Sequence, residues 1–223
     1  MVTKNNDKKS ENKKGKKTSY YFSKKPTSRL NVKKITPRLL GEVFVFETPS
    51  GVFSFGKPDR GSMLLIEKST IPDKAKVLDL GCGYGLVGVS LAKVHDDLKI
   101  TMTDINERAV AFAQKNLRLN RIKQERITFC KGNLYEPFLD EKGKVKEKFD
   151  VILSSPPMHA GKELCLKIIG EAPCFLVKGG TLQMVARHQK GGRPLMERML
   201  EVFGNVETLV KSGGFRIYLS KKE

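Results

Sequence analysis

Apolar and polar residues alternate from Glu42 to Gly56 (EVFVFETPSGVFSFG) on both sides of a Pro-Ser-Gly step, which is the pattern of a β-hairpin. SMLLIEKS follows as a short helical stretch. An apolar strand at Lys76 to Leu80 then runs into the glycines of DLGCGYG, and LVGVSLAKV forms the helix behind them. LKITMTD reads as a second strand ending at Asp104. Behind it NERAVAFAQKNLRLN carries Ala109, Ala113 and Leu117 at helical spacing after an Asn106 cap. RITFCK gives a third strand, FDVILS a fourth, KELCLKIIGEAPCFL a helix, GTLQMVAR a fifth strand and PLMERMLEVFG a further helix. VETLV and FRIYLS, joined across KSGG, predict a closing antiparallel hairpin, and the polar run from Leu139 to Lys148 a surface loop.

This alternation predicts an α/β fold: a seven-stranded, mostly parallel sheet with helices on both faces, a C-terminal antiparallel hairpin and an N-terminal β-hairpin cap. In such sheets a ligand sits beyond the carboxyl ends of the strands, where their order reverses. Four candidates fall there: the glycines after the first strand, Asp104 after the second, Asn133 after the third and Ser155 after the fourth. The fourth strand ends in ILSSPPMH. Proline has no N–H for a ladder, so the strand stops at Ser155 and the prolines form a rigid, extended corner.

Charge changes the picture at one end. The 223 residues carry a net +18, of which +11 lies in residues 1–38, with thirteen Lys or Arg against two acids. That segment is too poor in apolar residues to fold alone and is expected to be a disordered basic tail, either a solubilising extension or an arm for nucleic acid. Residues 39–223 then form one domain, with 39–70 as hairpin and helix cap and 71–223 as core. No apolar run is long enough for a membrane span and the charged start lacks a signal peptide's apolar region, so a cytoplasmic protein is expected. Cys82, Cys130, Cys165 and Cys174 show neither CxxC pairing nor a histidine cluster, which argues against a metal site or disulfides.

A glycine loop followed about twenty residues later by an acid also suits a dinucleotide. Asp79 separates the two ligand classes: a carboxylate just ahead of the glycines repels a pyrophosphate and attracts a cation. S-adenosylmethionine, with its ammonium and sulfonium, fits better; Asp104 would then take the ribose hydroxyls, with Asn133 and Leu134 beside the adenine.

VLDLGCGYG, TDINERAV, GNLYEP and SSPPMHAGKE, in this order, resemble the motifs of class I S-adenosylmethionine-dependent methyltransferases. GVFSFGKPDRGSMLL and the ending FGNVETLVKSGGFRIYLSKK narrow the resemblance to the methyltransferase small-domain family, which includes the ribosomal small-subunit RNA guanine-N2 methyltransferases. The resemblance covers residues 42 to 221 and implies a Rossmann-like core. It implies a cofactor cleft of Asp79, Gly81, Cys82, Gly83, Gly85, Asp104, Ile105, Asn133, Leu134 and Ser155. It also implies methyl transfer to an exocyclic amine of an RNA base, guanine N2 of ribosomal RNA first, by a monomer or weak homodimer.

The family's corner is Asn, Asp or Ser, then Pro-Pro, then usually an aromatic. An amine conjugated to a ring becomes nucleophilic when acceptors hold its N–H groups out of plane, so Ser155, Pro156 and Pro157 are the expected catalytic residues. Met158 stands in the aromatic position. With His159, Phe53, Phe55, Lys162 and Arg187 it makes up the expected substrate wall, and His188 and Lys190 are further phosphate contacts. Ser155 for the commoner Asn and Asn133 for the commoner Asp are two more departures. Other readings are a protein-glutamine or DNA-amine methyltransferase, a nicotinamide enzyme, and a non-catalytic RNA-binding or assembly factor on the same fold.

Overall fold

The computed structural model describes residues 29–156 and 161–223. Its centre is a seven-stranded sheet in the order β10-β11-β9-β8-β5-β6-β7. The strands are β5 (Lys76–Leu80), β6 (Lys99–Asp104), β7 (Ile127–Lys131), β8 (Phe149–Ser154), β9 (Leu176–Arg187), β10 (Glu207–Ser212) and β11 (Phe215–Lys221). The neighbours from β9 through β8, β5 and β6 to β7 run parallel, and β11 pairs antiparallel with β9 and β10. The chain therefore goes outward on one side through β6 and β7, then crosses back to β8 beside β5. That switch point lies between the carboxyl ends of β5 and β8, as the alternating pattern requires.

Among the described residues five α-helices cover the sheet: α1 (Arg60–Lys68), α2 (Leu86–Val94), α3 (Glu107–Leu119), α4 (Lys162–Phe175) and α5 (Gly192–Phe203). Successive strand residues divide between the two faces, so Val151 and Leu153 join one buried cluster with Leu65, Val89, Ile100 and Leu117. Ile152 joins the other with Ile169, Leu182, Leu195 and Met199. The predicted strands and helices of residues 60–223 are all present. Among the described residues no helix is long and apolar enough to cross a membrane. Cys82 and Cys165 are buried, Cys130 is half-buried and Cys174 exposed, all as free thiols.

The N-terminal cap differs from the expected hairpin. β4 (Phe46–Pro49) pairs antiparallel with β1 (Val32–Ile35), not with the residues after Pro49, and a small ladder of β2 (Arg38–Leu39) with β3 (Glu42–Val43) lies between them. Leu40 and Gly41, both at positive φ, make that tight turn. Beyond Pro49 the alternation continues without a strand, because Gly51, Ser54 and Gly56 all take positive φ and turn the chain away. β1 lies inside the segment expected to be tail. Its order comes from pairing with β4 and from Lys33, whose ammonium sits 5.1 Å over the Phe55 ring. Residues 1–28 lie outside the described part.

The other edge of the segment from Val45 to Glu47 is closed by Asn116 of α3 and by Asn120, the residue that caps its C-terminus. Val45 N–H donates to Asn120 Oδ1 (3.0 Å) and Asn120 Nδ2 donates to Val45 C=O (2.8 Å); one helical turn back, Glu47 N–H donates to Asn116 Oδ1 (2.8 Å) and Asn116 Nδ2 to Glu47 C=O (3.0 Å). Four helix residues rise about 6 Å and two strand residues about 6.7 Å, so amides at i and i+4 can stand in for a neighbouring strand. Phe44 and Phe46, both fully buried, press the cap onto the core.

Candidate active site

At the switch point a cavity of about 290 Å³ opens between the ends of β5, β6 and β8, roofed by residues 52–54 and the first turn of α1. Its floor is the glycine loop. Gly81 and Gly83 have φ of +79° and +56°; a Cβ on Gly81 would meet nothing within 4 Å, and one on Gly83 only Val52 Cγ1 at 3.8 Å. Backbone thus faces open space there, and a ligand can lie directly on it. Gly85 has another reason to be glycine. It caps α2 at φ +89° and a Cβ would come within 3.0 Å of Ala113, so it serves helix packing and lies outside the cavity wall.

Two carboxylates flank the loop. Asp79 is buried and accepts from the Gly88 N–H in the first turn of α2 (2.8 Å). Burial pushes its carboxyl up from 3.8 to about 7, with the nearby Asp104 adding to the rise and the Gly88 bond opposing it. Asp104 accepts from Gly83 N–H and Asn106 N–H, both at 2.9 Å, and burial raises it too. Asn106, the predicted cap, accepts from the N–H groups of Arg108 and Ala109 and starts α3 directly behind this acid.

After β7, Asn133 donates through its backbone N–H and its Nδ2 to the Glu136 carboxylate, each at 3.2 Å, which fixes the amide and leaves Oδ1 as an acceptor. Leu134 beside it is a non-glycine residue at φ +52°, and Ser54 across the cavity stands at φ +64°. Such conformations cost about 1–2 kcal/mol each and concentrate where a site imposes them.

The fourth wall is the corner after β8. Ser154 Oγ donates to Leu80 C=O (3.0 Å), tying the end of β8 to that of β5, and Ser155 and Pro156 then line the cavity. Pro157, Met158 and His159 lie outside the described residues.

The structure therefore brings together Asp79, Gly81, Cys82, Gly83, Asp104, Ile105, Asn133, Leu134, Ser155, Pro156 and Phe53 around one cavity. Phe55 does not join them, being held under Lys33. Lys162 and Arg187 are both exposed. Lys162 begins α4 away from the cavity. The Arg187 guanidinium stacks on Phe215 at 4.7 Å and belongs, with His188, Lys190, Lys211 and Arg216, to a second cleft that contains no acid. Partial burial and the cations Arg216, Arg193 and Lys211 lower the His188 imidazole. Sequence reasoning missed Asp59, Ser62 and Tyr84, which also line the main cavity. The signal for the first two was the Asp-x-x-Ser of KPDRGS, where Asp59 caps α1.

A buried and a half-buried carboxylate, an open glycine floor and an apolar surround suit a nucleoside that carries positive charge, and S-adenosylmethionine fits this donor set. Known proteins agree. The methyltransferase small-domain family matches residues 43–219. An uncharacterised protein, YbxB of Bacillus subtilis, is 34% identical over 206 residues, 92% of this chain and 99% of its own. The ribosomal RNA small subunit methyltransferase C of Hamiltonella defensa is 35% identical over 176 residues, 77% of this chain and 48% of that protein. The chain thus spans about half the length of the methyltransferase C relatives it matches. Among solved structures, the T. thermophilus 16S rRNA N2 G1207 methyltransferase RsmC, in complex with AdoMet and guanosine, superposes with a TM-score of 0.72 at 26% identity, covering 89% of this chain and 52% of that one. By its fold, its cleft and these relatives, the chain belongs to the methyltransferase small-domain family.

Proposed function

We propose that this chain transfers a methyl group from S-adenosylmethionine to an exocyclic amine of an RNA base, guanine N2 of small-subunit ribosomal RNA. The observation that carries the reading is the Ser155–Pro156 corner lining the same cavity as the Gly81–Gly83 floor and Asp104. Asp79 attracts the ligand's ammonium, Asp104 accepts from the ribose hydroxyls and Asn133 Oδ1 accepts from the adenine amine. When bound, the cofactor would supply an electrophilic methyl carbon to the amine lone pair, with the S–C pair returning to sulfur and one N–H proton leaving to solvent. The Ser155 hydroxyl and the Pro156 carbonyl accept from the amine, hold it out of conjugation and aim its lone pair into the cavity. Phe53 and Val52 exclude water above it.

The acid-free cleft of Arg187, Lys190, Lys211 and Arg216 supports an RNA substrate over a protein one. It adjoins the cavity: Phe215, which carries Arg187, packs against Gly61 in the first turn of α1, next to Asp59. Phosphates lying there would leave one base within reach of the corner.

The test is transfer of labelled methyl to naked ribosomal RNA, assembled small subunits and total protein, followed by nucleoside analysis. N2-methylguanosine in the RNA is expected. Label confined to protein would overturn the reading, and label in adenosine or cytidine would overturn its guanine part.

A further inference from the structure

A serine hydroxyl is an ambiguous group at an amine-methylating corner. An Asn carbonyl oxygen can only accept, whereas a serine O–H rotates and can as well donate, which would do nothing for an amine that needs acceptors. The structure removes that ambiguity. Ser155 Oγ lies 2.9 Å from Ser62 Oγ, and Ser62 Oγ lies 3.0 Å from Asp59 Oδ2. The same Asp59 oxygen accepts the Ser62 backbone N–H at 2.7 Å, so Asp59 and Ser62 are fixed to each other by the first turn of α1.

The direction of this chain follows from its last member. A carboxylate only accepts, so the single hydroxyl proton of Ser62 is committed to Asp59. Ser62 Oγ can then meet Ser155 only as an acceptor, and the Ser155 proton points towards α1. Both Ser155 lone pairs are left for the cavity. We propose that Asp59 and Ser62 are positioning residues that set the polarity of Ser155, converting an ambivalent hydroxyl into an obligate acceptor for the substrate amine. This rests on the reading of Ser155 as the amine's acceptor. It gives a reason for the cap to be part of the enzyme: α1 supplies to a serine corner what an asparagine corner has in its own amide.

The test compares Ser155→Ala, Ser62→Ala, Ser62→Thr and the pair Ser155→Asn and Ser62→Ala/Ser155→Asn. Methyl transfer to small-subunit RNA and thermal stabilisation by S-adenosylhomocysteine are read for each. Ser62→Ala should lower kcat about tenfold, the worth of one oriented hydrogen bond, with the shift induced by S-adenosylhomocysteine unchanged. Ser62→Thr, which keeps the hydroxyl, should stay within about twofold of wild type. In the Ser155→Asn background the Ser62→Ala penalty should vanish, because an amide oxygen needs no help to accept.

A binding readout stands apart from turnover. Protein loaded with S-adenosylhomocysteine should prefer guanosine to inosine, which lacks the 2-amino group, and Ser62→Ala should lose that preference. Full activity of Ser62→Ala, loss of S-adenosylhomocysteine binding in that variant, an equally defective Ser62→Thr, or an undiminished penalty in the Ser155→Asn background would each overturn the proposal while leaving Ser155 in place. Full activity of Ser155→Ala, or no preference for guanosine in the wild type, would instead overturn the reading beneath it.

Discussion

In the proposed binding mode stability and ligand binding oppose each other at Asp79, and the substitution Asp79→Asn separates them. Burial raises its carboxyl from 3.8 to about 7 in the folded protein. Below about pH 4 the group is protonated folded and unfolded, and contributes nothing. As pH rises from there to about 7 the unfolded chain loses its proton first, and above 7 the folded protein bears the whole cost of a buried charge. Some three pH units at about 1.36 kcal/mol each put that cost at roughly 4 kcal/mol. Asparagine keeps an oxygen for the Gly88 N–H and removes the charge. The ligand-free variant should therefore be more stable than wild type at pH 8, by up to roughly 4 kcal/mol, and the gap should close as pH falls towards 4. Binding should run the other way. In the proposed binding mode the ammonium of S-adenosylhomocysteine needs the ionised Asp79 carboxylate, so wild-type affinity should fall about tenfold per unit below pH 7. Denaturant unfolding and titration calorimetry at pH 5, 6 and 8 measure both effects. An Asp79→Asn protein less stable than wild type at pH 8, or a wild-type affinity flat from pH 6 to 8, would refute the reasoning.

Asp104→Ala removes the acceptor of two backbone N–H groups and of the proposed ribose contacts; S-adenosylhomocysteine affinity should drop at least tenfold by calorimetry, while RNA binding stays within twofold. Asn116→Ala leaves Glu47 N–H and C=O and Tyr84 C=O without their side-chain partner in a buried setting, and should cost about 2–4 kcal/mol in denaturant melts, more than Asn120→Ala at the exposed end of α3. Lys190→Gln with Lys211→Gln, in the acid-free cleft, should lower the slope of log affinity against log salt for single-stranded RNA by about 1.4, at about 0.7 per lost phosphate contact, and leave S-adenosylhomocysteine binding unchanged.

What could be read from the sequence was what is local. The glycines after β5, Asp104 at the end of β6 and the proline stop after β8 each follow from a strand end and the few residues beyond it, so their meeting at one cavity needed only the right-handed crossover rule. Partnerships made at a distance were not legible. Val32 to Ile35 are two apolar residues around two lysines, and only the register with Phe46 to Pro49 makes them a strand. Phe53 and Phe55 look equivalent in an alternating run, yet the left-handed Ser54 between them leaves only Phe53 at the cavity and puts Phe55 beneath Lys33. Gly85 looks like a third floor glycine, but Ala113, on the following helix, explains it. Asp59 and Ser62 read as an ordinary helix start, since their link to Ser155 spans 93 residues.

A further set of distant links runs through one helix. α3 begins at Asn106, adjoining the acid proposed to hold the ribose, and it carries along its length the contacts that position the roof. Asn106 Nδ2 donates to Gly51 C=O (2.8 Å), Arg108 Nη1 to Ser50 C=O (2.7 Å), and Asn116 and Asn120 hold Glu47 and Val45. The stretch from Val45 to Gly51 is thereby fastened to the element that rises from the cofactor side, and Val52, Phe53 and Ser54 follow immediately as roof. Asp104 itself bonds Asn106 N–H and Gly83 N–H, so the floor, the acid and the roof form one continuous hydrogen-bonded assembly. A ligand that tightens Asp104 should therefore also order the roof above the amine. The two halves of the cavity are thus coupled through backbone and amide groups, and α3 joins the cap's own ladder in holding so small a cap over the site.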